Sequence, residues 1–277
     1  MEAKTEKLKI ELINWYKNNK RYFPWRNTSN PWKILLIEIL SQQTQLERAN
    51  TYYKKFIKEF PSPKAMSNSS FEKILRMWSG LGYNNRAKRL FEASKIIEKK
   101  GFDQIYPNFD VLPGVGPYTK NALLSFAYGE KVLAIDTNIE RIIQRYFGLN
   151  NIKDFFKENS QYFLHNIDSR DINQAFMDFG SSICKSSKPT CNVCPIENYC
   201  SKYFTNNKRS KEKFKSSNRE VRGKIVKLLV NKGRINNQKL FKEIDEDSDK
   251  IEKALAGLQK DKLIKFKKNN IIEINSN

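Results

Sequence analysis

The sequence predicts an all-α protein that ends in a small helix-and-hairpin module, on three observations. Apolar residues recur three and four positions apart from residue 5 to about residue 204, as at Ile34, Leu35 and Ile37 and again at Leu123, Leu124, Phe126 and Ala127, which is the period of helices burying one face. Turn residues punctuate that pattern at Pro24, Asn30-Pro31, Pro61-Ser62-Pro63, Gly80 to Gly82, Pro107 and Pro113-Gly114, closing one helix and opening the next. Beyond residue 218 three short amphipathic stretches give way to two alternating runs.

Taken in order, the first residues, MEAKTEKLKIELINWY, read as a charged helix rather than a cleavable signal. The most apolar run, Ile34 to Leu40, is broken by Glu38 and falls far short of the ~20 apolar residues that span a bilayer. A cytosolic or nucleoid location is expected. Residues 205–218 are basic and almost free of large apolar side chains, which is linker composition. After them, Val221 to Val230, Asn237 to Ile244 and Asp249 to Leu263 read as helices, and Leu263 to Phe266 and Ile271 to Ile274 as a hairpin turning at Lys267 to Asn270. Three helices and a hairpin over residues 219–277 suggest a winged-helix-like domain, or else a basic stabilising tail.

The chain has 277 residues, 39% of them apolar, enough for a real core. A formal net charge of +21 implies an extended positive surface suited to phosphate backbones or anionic membranes. All four cysteines fall between Cys184 and Cys200, a metal-site distribution rather than a disulfide framework. Cys184, Cys191, Cys194 and Cys200 are separated by six, two and five residues, so that one loop can wrap a soft metal centre. The spacing alone admits zinc or an iron-sulfur cluster.

Leu112-Pro113-Gly114-Val115-Gly116 precedes a helix expected to begin near Tyr118. Gly114 and Gly116 permit a tight turn, and the helix N-terminus behind them offers N–H groups to an anion, which together make a phosphate clamp. Asp136, in AIDTNIERI, is placed to cap a helix beginning at Thr137 or Asn138. Glu38 sits in an apolar helical run, so it needs a partner or a raised pKa, and the latter suits a general acid. Just downstream, the planar amides of Gln42, Gln43 and Gln45 suit the filling of a gap in a base stack.

FPWR, IEILSQQTQ, WSGLGYNNRAKRL, LPGVGPYT, IDTNIERI and the cysteine loop follow one another between about residues 10 and 204. In that order they resemble the catalytic core of the adenine DNA glycosylase family, the MutY type, within the helix-hairpin-helix superfamily that includes endonuclease III. The resemblance implies a base excision repair hydrolase acting as a monomer on double-stranded DNA with a mismatched or oxidised pair. It implies a core over residues 1–204, with a six-helix part at about 28–132 and a cluster part from 1–27 and 133–204, and a [4Fe-4S] cluster on the four cysteines.

Residue by residue, the resemblance makes Glu38 the group that protonates the adenine ring and Asp136 the group that stabilises the sugar cation, with Asn138 beside it. Gln43 becomes the wedge and Tyr83 the intercalating aromatic, although the usual second tyrosine is Asn84 here. Gln42, Thr44 and Arg86 join the DNA-binding set, and Lys185, Lys188 and Lys202 face phosphates from the cluster loop. Tyr118 occupies the position at which bifunctional relatives carry a Schiff-base lysine, so a monofunctional enzyme is expected. Lys120 lies about 200° around the helix from it. The single histidine, His165, has no assigned role.

Family members typically add a C-terminal domain that recognises 8-oxoguanine. Residues 219–277 are expected to be too short for it, leaving Gln42, Gln43, Thr44 and Tyr83 to read the partner base. Thymine or uracil glycosylases acting at T:G and U:G mismatches share the short architecture and are the alternative. A non-enzymatic iron-sulfur DNA-binding regulator is a third reading, one that would need neither Glu38 nor Asp136.

Overall fold

A computed structural model describes residues 1–204 and 217–275. They form two compact units, the first from residues 1–38, 107–110 and 115–204, the second from 39–106, 111–114 and 217–275.

In the first unit the helix Glu2–Asn19 packs on Ser169–Ser182 and Lys153–Leu164, and Thr137–Phe147 packs on Ser169–Ser182. Leu8, Leu12, Tyr146, Phe163, Phe176 and Phe179 are fully buried at their centre. The turn after the first helix is fastened electrostatically. Arg26 of the FPWR motif donates both terminal nitrogens to the buried Asp178 carboxylate, at 2.6 and 2.7 Å, and Arg21 Nε adds a third bond at 2.7 Å. Burial alone would push the Asp178 carboxyl up, but the two guanidiniums hold it below the ordinary carboxylate range.

The helix Pro31–Ser41 is apolar almost all round, with every residue from Ile34 to Leu40 buried, Glu38 included. Glu38 is the last residue of the first unit in sequence before Ile39 begins the second.

The second unit holds the helices Leu46–Glu59, Pro63–Ser67, Phe71–Trp78 and Asn85–Lys100. Ser62 and Ser70 cap two of them, each hydroxyl accepting a backbone N–H at 3.2 Å. Phe56 and Trp78 meet edge to face at 5.7 Å in its core.

The same unit contains the C-terminal module. Helix Asn218–Lys232, strand β1 (Arg234–Asn236), helices Asn237–Glu243 and Ser248–Lys260, and strands β2 (Ile264–Lys267) and β3 (Ile271–Ile274) follow in turn. The antiparallel sheet has the order β1-β3-β2. The three helices and the hairpin expected from sequence are present, and strand β1 is an addition: it has a single buried side chain, Ile235, and three residues are too few to reveal an alternating pattern. Of the expected linker, residues 205–216 lie outside the described residues. Ser217 caps the first helix, its hydroxyl accepting from Glu220 N.

Candidate active site

In the first unit Glu38, Tyr118, Asp136 and Asn138 come together, although they stand 100 residues apart in sequence. Tyr118 is on the first turn of the helix Pro117–Tyr128, which Gly116 precedes and Pro117 opens. Its hydroxyl donates to the Glu38 carboxylate. Glu38 is only 8% exposed, and burial, opposed by the Tyr118 bond and reinforced by the nearby Asp136 charge, pushes its carboxyl up to about 7. Such a group is divided between its protonated and ionised forms near neutral pH, so it can both hold a proton and give it up. Lys120 turns elsewhere and pairs with Asp110.

Asp136 caps the helix Thr137–Phe147. One carboxylate oxygen accepts from Asn138 N at 2.9 Å and Ile139 N at 2.8 Å, and the other from Asn138 Nδ2 at 2.6 Å. Burial pushes its carboxyl up, against these bonds and the charge of Arg141. Arg141 was not singled out by sequence reasoning. It donates to Asn138 Oδ1 at 2.7 Å, to Gly180 O at 2.8 Å and, through Nε, to Cys184 O at 2.8 Å, so it ties the carboxylate-bearing turn to the start of the cysteine loop. The three-residue helical spacing from Asn138 to Arg141 was the available signal. Asn138 also needs Gly180, because a Cβ there would stand 2.5 Å from the Asn138 Cβ.

The four cysteines are free thiols that surround one cavity of about 30 Å³, with Ile142, Tyr146 and Phe179 as its apolar wall. They are within electrostatic reach of one another, since Cys194 feels Cys184, Cys191 and Cys200. Among the described residues no three His, Cys, Asp or Glu side chains converge on one point as a single-ion site would require. Arg145, also unanticipated, braces the loop by donating to Lys185 O at 2.7 Å and to Cys184 Sγ at 3.4 Å. Lys185 and Lys188 are exposed on it, the latter at a left-handed φ of 53°.

The second unit carries the remaining candidates. Gly114 has φ +87°, and a Cβ there would press on Arg89 Cβ at 3.2 Å and Ile39 Cδ1 at 3.3 Å, so glycine is required by both conformation and space. Its carbonyl accepts from Gln42 Nε2 at 3.1 Å. By contrast a Cβ on Gly116, in the first unit, would meet nothing within 4 Å, leaving the front of that helix N-terminus open. Gln43 and Tyr83 hold left-handed φ values of 54° and 47°, which side-chain-bearing residues seldom adopt, and Tyr83 is 39% exposed.

Arg86 corrects the expectation of a DNA-facing cation. It is 6% exposed, and its two terminal nitrogens are taken up by the carbonyls of Ile39, Leu40, Gln42, Leu81 and Gly82 and by Thr44 Oγ1, while Nε is buried without a partner among the described residues. A guanidinium this buried presents no surface to a phosphate. Arg86 instead fixes the two loops that present Gln43 and Tyr83.

Residues 36–162 match the family described as the HhH-GPD superfamily base excision DNA repair protein. The adenine DNA glycosylase of Buchnera aphidicola (subsp. Baizongia pistaciae) is 36% identical over 204 residues, covering 70% of this chain and 58% of that protein. The chain therefore spans less than two thirds of that relative's length. The Mycobacterium tuberculosis adenine DNA glycosylase is 29% identical, over 79% of this chain and 77% of that protein. Among solved structures, a thermostable thymine-DNA glycosylase superposes with a TM-score of 0.67 at 30% identity, covering 73% of this chain and 97% of the other. A non-covalent endonuclease III–DNA complex superposes at 0.61 with 22% identity, over 72% of this chain and 95% of the other, which shows a shared fold.

Proposed function

Because the chain belongs to the HhH-GPD superfamily of base excision DNA repair proteins, we propose that it is a monofunctional DNA glycosylase that hydrolyses the N-glycosidic bond of adenine mispaired with 8-oxoguanine or guanine in duplex DNA. The observation that carries this reading is the buried Glu38 bonded to Tyr118 beside Asp136. Adenine is the favoured target because the Buchnera adenine DNA glycosylase is 36% identical to this chain, against 30% for the thymine-DNA glycosylase.

The mechanism starts at the phosphate backbone. The open N-terminus of the helix Pro117–Tyr128 receives a phosphate, and Lys185 and Lys188 hold others. Gln43 and Tyr83 enter the stack as the target nucleotide rotates out, at an unstacking cost of a few kcal/mol that is least at a mismatch. Glu38 passes its proton to a ring nitrogen of the adenine, and the C1′–N9 bond breaks with its electron pair leaving on the base. Asp136 faces the positive charge that develops on the sugar. Water then adds at C1′ and returns a proton to the emptied Glu38 carboxylate. Tyr118 supplies a hydroxyl where a Schiff-base enzyme needs an amine, so the product is an intact abasic strand.

A cavity ringed by four thiols, braced by Arg145 and apolar on its far side, suits a [4Fe-4S] cluster held by Cys184, Cys191, Cys194 and Cys200. Bound there, the cluster would cross-link the loop that carries Lys185 and Lys188. Arg141 is the route by which that loop steadies Asn138 and Asp136.

Single-turnover base release tests the function directly. Adenine freed from A:8-oxoguanine and A:G duplexes supports it, whereas release of thymine or uracil from T:G or U:G duplexes would replace it.

A further inference from the structure

The C-terminal module belongs to the same compact unit as Gln43 and Tyr83, and its first helix reaches them. Arg219, in the first turn of Asn218–Lys232, lies with its guanidinium carbon 5.0 Å from the Tyr83 ring centroid and donates from Nη1 to the Tyr83 hydroxyl. The helix is fixed against the glycosylase core by Arg76 Nη2, which donates to Val230 O at 3.2 Å, and the module as a whole by Lys88 Nζ, which donates to Asp261 O at 3.0 Å. Beside the contact runs a groove of about 760 Å³ that includes Gln43 and Tyr83. Arg48, Arg76, Arg219, Lys224 and Lys227 line it, against the carboxylate of Glu220. A neighbouring recess of about 420 Å³ shares Gln43, Tyr83 and Arg219.

Two guanidiniums attend the Tyr83 ring, and they differ in burial. Arg86, 5.7 Å from the centroid, is locked by its carbonyl bonds. Arg219 is exposed, on a long side chain at a helix start. A planar cation resting on an exposed aromatic ring occupies the kind of place a nucleobase would take. A base that takes this place on the ring has the same guanidinium at its edge. Of the four bases, guanine offers two adjacent acceptors, O6 and N7, that match the fork of an arginine; in 8-oxoguanine N7 carries a hydrogen and becomes a donor, so the guanidinium meets the acceptors O6 or O8 on either side of it.

We infer that Arg219 is a specificity-determining residue that contacts the purine left opposite the excised base, so that the winged-helix module, together with Tyr83 and Gln43, forms the partner-base reader of this enzyme. This rests on the proposed glycosylase reading in placing Gln43 and Tyr83 at the interrupted stack, and it goes beyond that reading by giving the C-terminal module a substrate contact.

The test uses the full chain and measures binding, so that it does not depend on turnover. Fluorescence anisotropy would follow duplexes carrying a tetrahydrofuran abasic analogue opposite 8-oxoguanine, guanine, cytosine or thymine. The expected result is a wild-type preference for the purine partners, which Arg219→Ala reduces by about tenfold or more for 8-oxoguanine and guanine and less than twofold for cytosine and thymine. Arg219→Lys, which keeps the charge but not the fork, should retain affinity for the pyrimidine duplexes and lose the preference. Equal weakening on all four duplexes would overturn the inference in favour of a phosphate contact. No change on any duplex, or a wild type without purine preference, would overturn it as well. Failure to release adenine while Arg219 still governs partner preference would defeat the proposed activity and leave this assignment standing.

Discussion

Replacing Glu38 by glutamine tests the electrostatic premise of the active site without any substrate. A carboxyl that titrates at 4.5 in the ordinary way and at about 7 in the fold penalises the folded state once it is ionised. At about 1.4 kcal/mol for each pH unit separating the two values, the full penalty is about 3 kcal/mol. The sign follows from the raised value. Below 4.5 the proton is bound in both folded and unfolded chains and no penalty exists. As pH rises the unfolded chain releases the proton first, so stability falls until the folded group has titrated above about 7. Glutamine is neutral throughout and close to the same shape. Urea unfolding midpoints of wild type and Glu38→Gln, taken from pH 5 to pH 8, should therefore diverge by about 2 to 3 kcal/mol in favour of the variant, most of it gained by pH 7. A stability difference that stays flat across this range would refute a Glu38 carboxyl buried in its protonated form.

Tyr118→Phe removes the hydroxyl bond that favours the ionised form of Glu38, so the alkaline limb of the pH–rate profile for base release should move to higher pH; a shift to lower pH would contradict the bond. Asp136→Ala should abolish base release and lower stability by about 0.5 to 2 kcal/mol through loss of the helix cap, as read from single-turnover kinetics and urea midpoints, with duplex affinity nearly unchanged. Arg26→Ala leaves the buried Asp178 carboxylate short of its bidentate partner, and should destabilise the fold by about 3 to 5 kcal/mol in the same unfolding experiment. Purified protein should contain iron and inorganic sulfide in equal amounts, and Cys194→Ser should lose both; zinc in their place would show that the four cysteines hold no iron-sulfur cluster.

Local chemistry was the part legible in the sequence. The Asp136 cap, the left-handed Gly114 in its turn and the four-cysteine loop each depend on residues close together in the chain, so spacing and turn propensity carried them. Glu38 was legible for a different reason: a carboxylate within Ile34 to Leu40 has no polar face to occupy, and the structure buries it. The raised pKa followed from that burial.

What the sequence did not reveal depends on where long side chains end. Arg86 stood in a basic motif and was read as facing DNA, yet its guanidinium lies beneath the backbone of residues 39–44 and 81–82. Nothing in composition separates an arginine that binds phosphate from one that binds carbonyls. Arg219 and Tyr83 are 136 residues apart, with the basic segment 205–218 between the core and the module, and no period or spacing relates them. The three-residue strand Arg234–Asn236 is likewise defined by pairing with Ile271 to Glu273 rather than by its own pattern.

The proposed excision of adenine is put to the test by single-turnover incubation of the purified full chain with four duplexes, carrying A opposite 8-oxoguanine, A opposite G, T opposite G and U opposite G, followed by identification of the free base. The expected result is adenine from the first two, with the strand intact and no borohydride-trapped adduct. Thymine or uracil from the last two without adenine, or a trapped covalent adduct, would contradict it.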